Sequence, residues 1–233
     1  LDSVTLAHVV SGNGTVQDDL LLLSFDYGQR HRKELQFAAQ TARRLHAEHI
    51  VIEMDFMAEL LHGSALTAHG GAVPMGHYAA DNMKATVVPN RNAIMLSIAY
   101  GIAVAEHASR VYTGVHAGDH AIYPDCRPEF IAALNTALRL GNEWADPLPI
   151  LRAPFVMLSK TNIARMAEIY SVPVQETWSC YEGGDIHCGK CGTCSERRQA
   201  LYQAHVYDTT PYACTWEETC EVARLDLHTG GDL

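Results

Sequence analysis

The stretch LLLLSFDYGQRHRKELQFAAQTARRLHAEHIVIEM, residues 20–54, decides the fold class. Its apolar run Leu20–Phe25 has the length of a strand buried in a parallel sheet, and Asp26-Tyr27-Gly28-Gln29 then turns the chain. From His31 to His46, Leu35, Ala38, Ala42 and Leu45 fall on one helical face with charges opposite, and residues 49–54 form a second short apolar strand. A strand, an amphipathic helix and a strand at this spacing predict a βαβ unit. The expected class is α/β, an open parallel sheet with helices on both faces. Outward from this unit, residues 2–11 suit a short helix halted at Gly12-Asn13-Gly14. Further helices are expected over 92–107, 128–140 and 159–170, with a strand over Val111–Val115 and a long loop over 62–88 able to close over a site. Residues 215–233 read as a short helix and an acidic tail.

A chain of 233 residues with 48% hydrophobic composition can bury a full core. Its formal charge of −10 gives no footprint for a nucleic-acid backbone, which favours a small-molecule substrate. Neither a signal peptide nor an apolar run of membrane-spanning length is recognisable. The expected location is cytoplasmic. Seven cysteines fit a reducing compartment, and four of them, in WSCYEGGDIHCGKCGTC, place Cys180, Cys188, Cys191 and Cys194 as C-x7-C-x2-C-x2-C. This pattern predicts a structural zinc site with four thiolate ligands. Gly189 and Gly192 give the backbone freedom to bring the sulfurs together. Disulfides or buried thiols are the bland alternative. His187 is expected beside the site and not in it, because four sulfurs fill a tetrahedron and leave no open position for chemistry.

The chemistry is therefore sought upstream. The segment HAGDHAIYPDCRPEF follows the strand at 111–115, and ligands of open α/β sheets bind at the carboxyl ends of strands. Asp26, Tyr27, Gln29 and Arg30 follow the first strand in the same way, with ordinary turn chemistry as their alternative. Arg91 stands at a helix start, where a cation is disfavoured unless an anionic ligand or a carboxylate compensates it. Lys160 has the same feature.

Five segments, Leu1-Asp2-Ser3, SFDYGQRHRKEL (24–35), VPNRN (88–92), GVHAGDHAIYPDCRPEF (114–130) and the four-cysteine stretch, together resemble the 7-cyano-7-deazaguanine synthases of the PP-loop ATP pyrophosphatase superfamily. The resemblance covers most of the chain. It implies a PP-loop domain over 1–175 and a zinc-binding helical extension over 176–233 within one compact unit. It also implies conversion of 7-carboxy-7-deazaguanine, ammonia and ATP, with Mg²⁺, to a nitrile, and a homodimer. Asp2 and Ser3 match the end of the family's phosphate loop and are expected to bind the nucleotide with Asp26, Tyr27, Gln29 and Arg30; capping of the first helix is the alternative for the first two. Lys160, Arg91 and Asp125 are expected to be catalytic. Asp119, His120, Tyr123 and Arg127 are expected to bind the deazapurine, and Cys126 is not required as a nucleophile. The Ser-Gly-Gly of the loop and its preceding strand are not in this sequence, so the natural chain is expected to start upstream. Alternatives are a PP-loop ligase acting on another amine or acid, and a non-catalytic zinc-stabilised nucleotide-binding protein.

Overall fold

The computed structural model describes residues 1–12, 19–30, 32–61, 63–67, 70–78 and 81–225. The chain divides into two units, one formed by Leu1–Val88 with Lys160–Leu233 and the other by Pro89–Ser159.

In the first unit, α1 (Asp2–Val10) leads to β1 (Leu21–Asp26), α2 (Lys33–Arg44), β2 (Glu48–Glu53) and the short α3 (Phe56–Leu60). β1 and β2 pair in parallel, Leu21 opposite Glu48 through Asp26 opposite Glu53, so the βαβ reading of residues 20–54 is borne out. Helix α2 carries Glu34 in its first turn and Arg43 and Arg44 in its last, in the sense the helix dipole favours. The expected burial is not met. β1 is half-buried except at Asp26, and Ile50 and Val51 of β2 are exposed.

The core of this unit lies among helices. α6 (Lys160–Ile169) and α7 (Gly192–Gln203) meet through Ala164, Ala167, Ala200, Leu201 and Ala204, with Leu1 and Val4 of the α1 region packed on them. Small side chains let the two helices approach closely, and Thr161 Oγ1 donates to Gln203 Oε1 across them at 2.9 Å. α8 (Trp216–Ala223) opens with a capping box between Thr215 and Glu218, inside the span where a short helix is expected; the tail beyond Leu225 lies outside the described residues. The stretch expected as a loop over 62–88 holds a 3-10 turn, Asp81–Thr86, and contributes buried Leu66, Val73 and Met83. It packs as a structural strap: Gly76 N donates to Lys190 O at 3.0 Å, and Met75 bridges to Cys191.

The second unit runs α4 (Arg91–Ala105), β3 (Arg110–Tyr112), α5 (Pro128–Leu140) and β4 (Ile150–Arg152). β3 and β4 are parallel, and β4 was not anticipated because it is three residues set among prolines. Its Leu151 N donates to Asn135 Oδ1 of α5 at 2.9 Å. Among the described residues the strands thus form two parallel pairs, one in each unit. No described helix is long and apolar enough to cross a membrane.

Candidate active site and metal centre

The sulfurs of Cys180, Cys188, Cys191 and Cys194 all lie within 4.8 Å of one another, and Cys188 Sγ and Cys194 Sγ are 3.9 Å apart. A tetrahedral ion with metal–sulfur bonds of about 2.3 Å requires sulfurs about 3.8 Å apart, so the four residues fit a metal ion. The backbone prepares the sulfurs for negative charge. Cys188 N donates to Cys180 Sγ at 3.3 Å, and Lys190 N and Cys191 N donate to Cys188 Sγ at 3.4 and 3.3 Å. Cys191 is the N-cap of α7 and Cys194 lies in its first turn, where the helix dipole favours a thiolate.

The two glycines of the knuckle serve different needs. Gly189 has φ +78°, and a Cβ there would stand 2.3 Å from Cys214 Sγ. Gly192 is helical and is needed for space, since a Cβ would stand 2.7 Å from Met83 Sδ. His187 is a neighbour of the site, as expected: its Nε2 accepts from Ser179 N at 3.2 Å, and its ring lies 4.3 Å from Trp178 and 5.5 Å from Tyr212. Burial, with the nearby Arg197 charge, brings its pKa down to about 3. Trp178 also stacks on Phe37 of α2, while Lys33 lies over its ring and donates to Gly184 O at 2.9 Å.

Directly after the cysteines, Arg197 is completely buried. It donates from Nε to Tyr212 Oη at 3.0 Å, from Nη1 to Thr177 Oγ1 at 2.5 Å, and from Nη2 to Val174 O at 2.6 Å and Thr210 Oγ1 at 2.9 Å. Asp208 completes the network, accepting from Tyr212 Oη at 2.7 Å and from Thr210 N at 3.0 Å. Nothing in the sequence pattern singled out Arg197; the only available signal was its place in the helix that the knuckle begins.

At the front of the chain, Asp2 and Ser3 are the first two residues of α1 and do not cap it. Ser3 is exposed, whereas Asp2 turns to Lys160 at the start of α6, with Nζ 2.5 Å from Asp2 Oδ2. Lys160 also lies 3.4 Å from Glu196 Oε2 of α7. Two residues expected at the phosphates, 158 positions apart, are thereby brought together, and two carboxylates offset the unfavourable place of a cation at a helix start. Glu196 was not foreseen.

The side chains after β1 are occupied within the fold, Gln29 with its own turn and Arg30 with a distant one. Gln29 Oε1 accepts from Tyr27 N at 2.8 Å, and its Nε2 donates to Phe25 O at 3.2 Å and to Glu34 Oε1 at 3.3 Å. Arg30 clasps Gly70 O and Gly71 O at 3.1 and 2.6 Å. Asp26, buried, pairs with Arg32 Nε at 3.0 Å. The turn needs glycine at position 28, where φ is +76° and a Cβ would meet that of Ala58 at 2.4 Å.

In the second unit, Asn90 is left-handed (φ 56°) and α4 starts at Arg91, whose guanidinium lies 6.0 Å from the centre of the Tyr123 ring. Asp125 Oδ2 accepts from Asn92 N at 3.2 Å, so Asp125 satisfies a donor of the first turn of α4 from another part of the chain. Asp119 and His116 form a capping box: His116 N donates to Asp119 Oδ2 at 3.1 Å, and Gly118 N to His116 Nδ1 at 3.0 Å. Arg127 Nε donates to His120 O at 3.0 Å. His120 Nε2 is a buried ring nitrogen with no hydrogen-bond partner among the described residues. Cys126 is buried, and that burial, with Asp119 and Asp125 nearby, pushes its thiol well up, which leaves it a poor nucleophile at neutral pH. The structure thus gathers Arg91, Asp125, Tyr123 and Asn92, of which Asn92 was missed. A groove of about 590 Å³ lined by Arg110, Tyr112, Ile131, Asn135 and Arg152 contains none of the expected substrate residues.

A family model described as queuosine biosynthesis protein QueC matches residues 1–205. A protein of Rhizobium leguminosarum bv. trifolii named 7-cyano-7-deazaguanine synthase is 53% identical over 214 residues, covering 91% of this chain and 88% of that protein. One of the same name from Ruegeria pomeroyi is 53% identical over 216 residues, covering 91% and 90%. A third, from a Chelativorans strain, is 51% identical over 220 residues, covering 94% and 93%.

Proposed function

The chain belongs to the QueC family, and on that premise we propose how its residues divide the work of making 7-cyano-7-deazaguanine. The activity is that of an ATP-dependent ligase-type enzyme of queuosine biosynthesis. The substrate carboxylate of 7-carboxy-7-deazaguanine attacks the α-phosphorus of ATP and releases pyrophosphate. This step is needed because a carboxylate cannot expel oxide, whereas an acyl-adenylate expels AMP. Ammonia displaces AMP to give the amide and releases a proton. The amide oxygen then attacks the α-phosphorus of a second ATP, releasing a second pyrophosphate, and loss of AMP with the two N–H protons leaves the nitrile.

Orientation and charge stabilisation make up most of the protein's part. Lys160 faces the phosphates and stabilises departing pyrophosphate, and Ser3 donates to a phosphate oxygen. Magnesium bound with ATP supplies counter-charge to the phosphate oxygens, and Asp2 is the carboxylate that faces it. Asp26 and Tyr27 frame the nucleotide, with Gln29 and Arg30 fixing the turn that carries them. Arg91, held at the start of α4 beside Asp125, meets an anionic group of a substrate. Tyr123 supplies a stacking face, and Asp119, His120 and Arg127 meet the polar edges and carboxylate of the deazapurine. Zinc is the ion assigned to the four thiolates, where it braces the fold and performs no chemistry. The enzyme acts as a cytoplasmic homodimer.

The observation that carries the phosphate assignment is the convergence of Asp2 and Lys160 at the starts of two helices. The test is pyrophosphate release by the full-length protein with and without 7-carboxy-7-deazaguanine. Release is expected only with the acid present, a single stoichiometric release per site without ammonia and continued turnover with it, and release indifferent to the acid would remove the substrate assignment.

A further inference from the structure

Lys160 has two carboxylate partners where one would neutralise it. Both carboxylates compete with a polyphosphate for the same ammonium, so at least one of them must yield when the nucleotide arrives. The two partners are held differently. Asp2 lies at the first position of α1 with its side chain 24% exposed; that of Glu196 is 12% exposed. Glu196 stands on α7 between Cys194, one of the clustered thiols, and the buried Arg197, whose guanidinium is fixed by four hydrogen bonds. Glu196 is therefore flanked on its helix by two residues whose side chains are fixed.

Resting on the phosphate reading of Lys160, we infer that Glu196 is a positioning residue: it retains the Lys160 ammonium at its post when Asp2 gives up the lysine to face a cation bound with the nucleotide. Asp2 is the exchangeable partner and Glu196 the permanent one. Without Glu196, an ammonium at the start of α6 keeps neither carboxylate once Asp2 is engaged elsewhere, and the helix dipole disfavours it there.

The experiment compares Glu196→Gln, Glu196→Asp, Lys160→Ala and the Glu196→Gln/Lys160→Ala double variant in the full-length enzyme. It reads KM for ATP and for the deazaguanine acid, together with the rate at which an acetylating reagent modifies Lys160 in the absence of ATP in an Asp2→Asn background, where the exchangeable partner has already let the lysine go, measured by mass spectrometry. Glu196→Gln is expected to raise KM for ATP about fivefold, the weight of one partly exposed ion pair, and to leave KM for the acid within twofold. Glu196→Asp should recover part of that loss, Lys160 should be acetylated faster in Glu196→Gln, and Glu196→Gln should add nothing to Lys160→Ala. An unchanged acetylation rate, or an equal rise in KM for ATP with and without Lys160, would overturn the inference. If Lys160→Ala leaves ATP use intact, the phosphate reading of Lys160 fails on its own, while the acetylation rate still decides whether Glu196 holds the lysine.

Discussion

The cysteine knuckle and the His116–Arg127 segment are both short, polar and irregular, yet they use their side chains in opposite ways. In the knuckle, four side chains from fifteen residues point at one spot, and backbone N–H groups serve those side chains. In His116–Arg127 the relation reverses: Asp119, His116, Asp125 and Arg127 serve the backbone, capping turns and the start of α4. Ligand spacing is thus a direct statement about geometry, whereas polar composition is not, since unsatisfied backbone groups compete for the same side chains.

The most severe way to test this contrast is to remove one sulfur. Cys191→Ala should abolish stoichiometric metal in elemental analysis and deprive the unit of binding energy on the order of 10 kcal/mol, so that the variant melts far below the parent or is insoluble. Retained metal and an unchanged Tm would break the comparison. Arg197→Met comes next. It removes the guanidinium from Val174 O and from the hydroxyls of Thr177, Thr210 and Tyr212 and leaves the Asp208 carboxylate without its nearby cation, and urea unfolding should show a loss of about 3–5 kcal/mol.

On the other side of the comparison, Asp125→Ala removes a cap, and a stability loss of about 1 kcal/mol is expected. If Asp125 also serves the reaction, activity falls much further than that loss explains; a matching small fall would make it a cap alone. Cys126→Ala is expected to change turnover least, within about twofold, because a buried, protonated thiol has no nucleophilic part to lose. Its labelling by iodoacetamide should be slow at pH 8 and rise only above the ordinary thiol range. Rapid labelling at neutral pH would contradict the upward shift caused by burial and the two aspartates.

Much of the fold was legible because hydrophobic period and strand length are local signals. The helix over 128–140 and the βαβ unit follow from them directly. Helix ends over 31–46, 92–107 and 159–170 were placed within two residues, but the way they close was not legible, for a physical reason. α2, α4, α6, α7 and α8 all close through a left-handed residue that is not glycine, at His46, His107, Ser171, His205 and Arg224. The following N–H bonds back five residues in each, as from Ala47 to Ala42 O and from Val172 to Ala167 O, and this closure carries no glycine to mark it.

The sequence alone determined the α/β class, the four sulfurs that cluster and the blocks that led to the family, because each depends on residue types at short spacing. Tertiary structure decided which of the remaining polar groups were free for chemistry. It set Glu196 beside Lys160, buried Arg197, turned Gln29 onto its own loop, tied Arg30 to the carbonyls of Gly70 and Gly71, and gave Asp125 to α4. Those outcomes depend on long-range approach, where a buried donor or acceptor takes the nearest partner the packing supplies, and no local pattern encodes which one that will be.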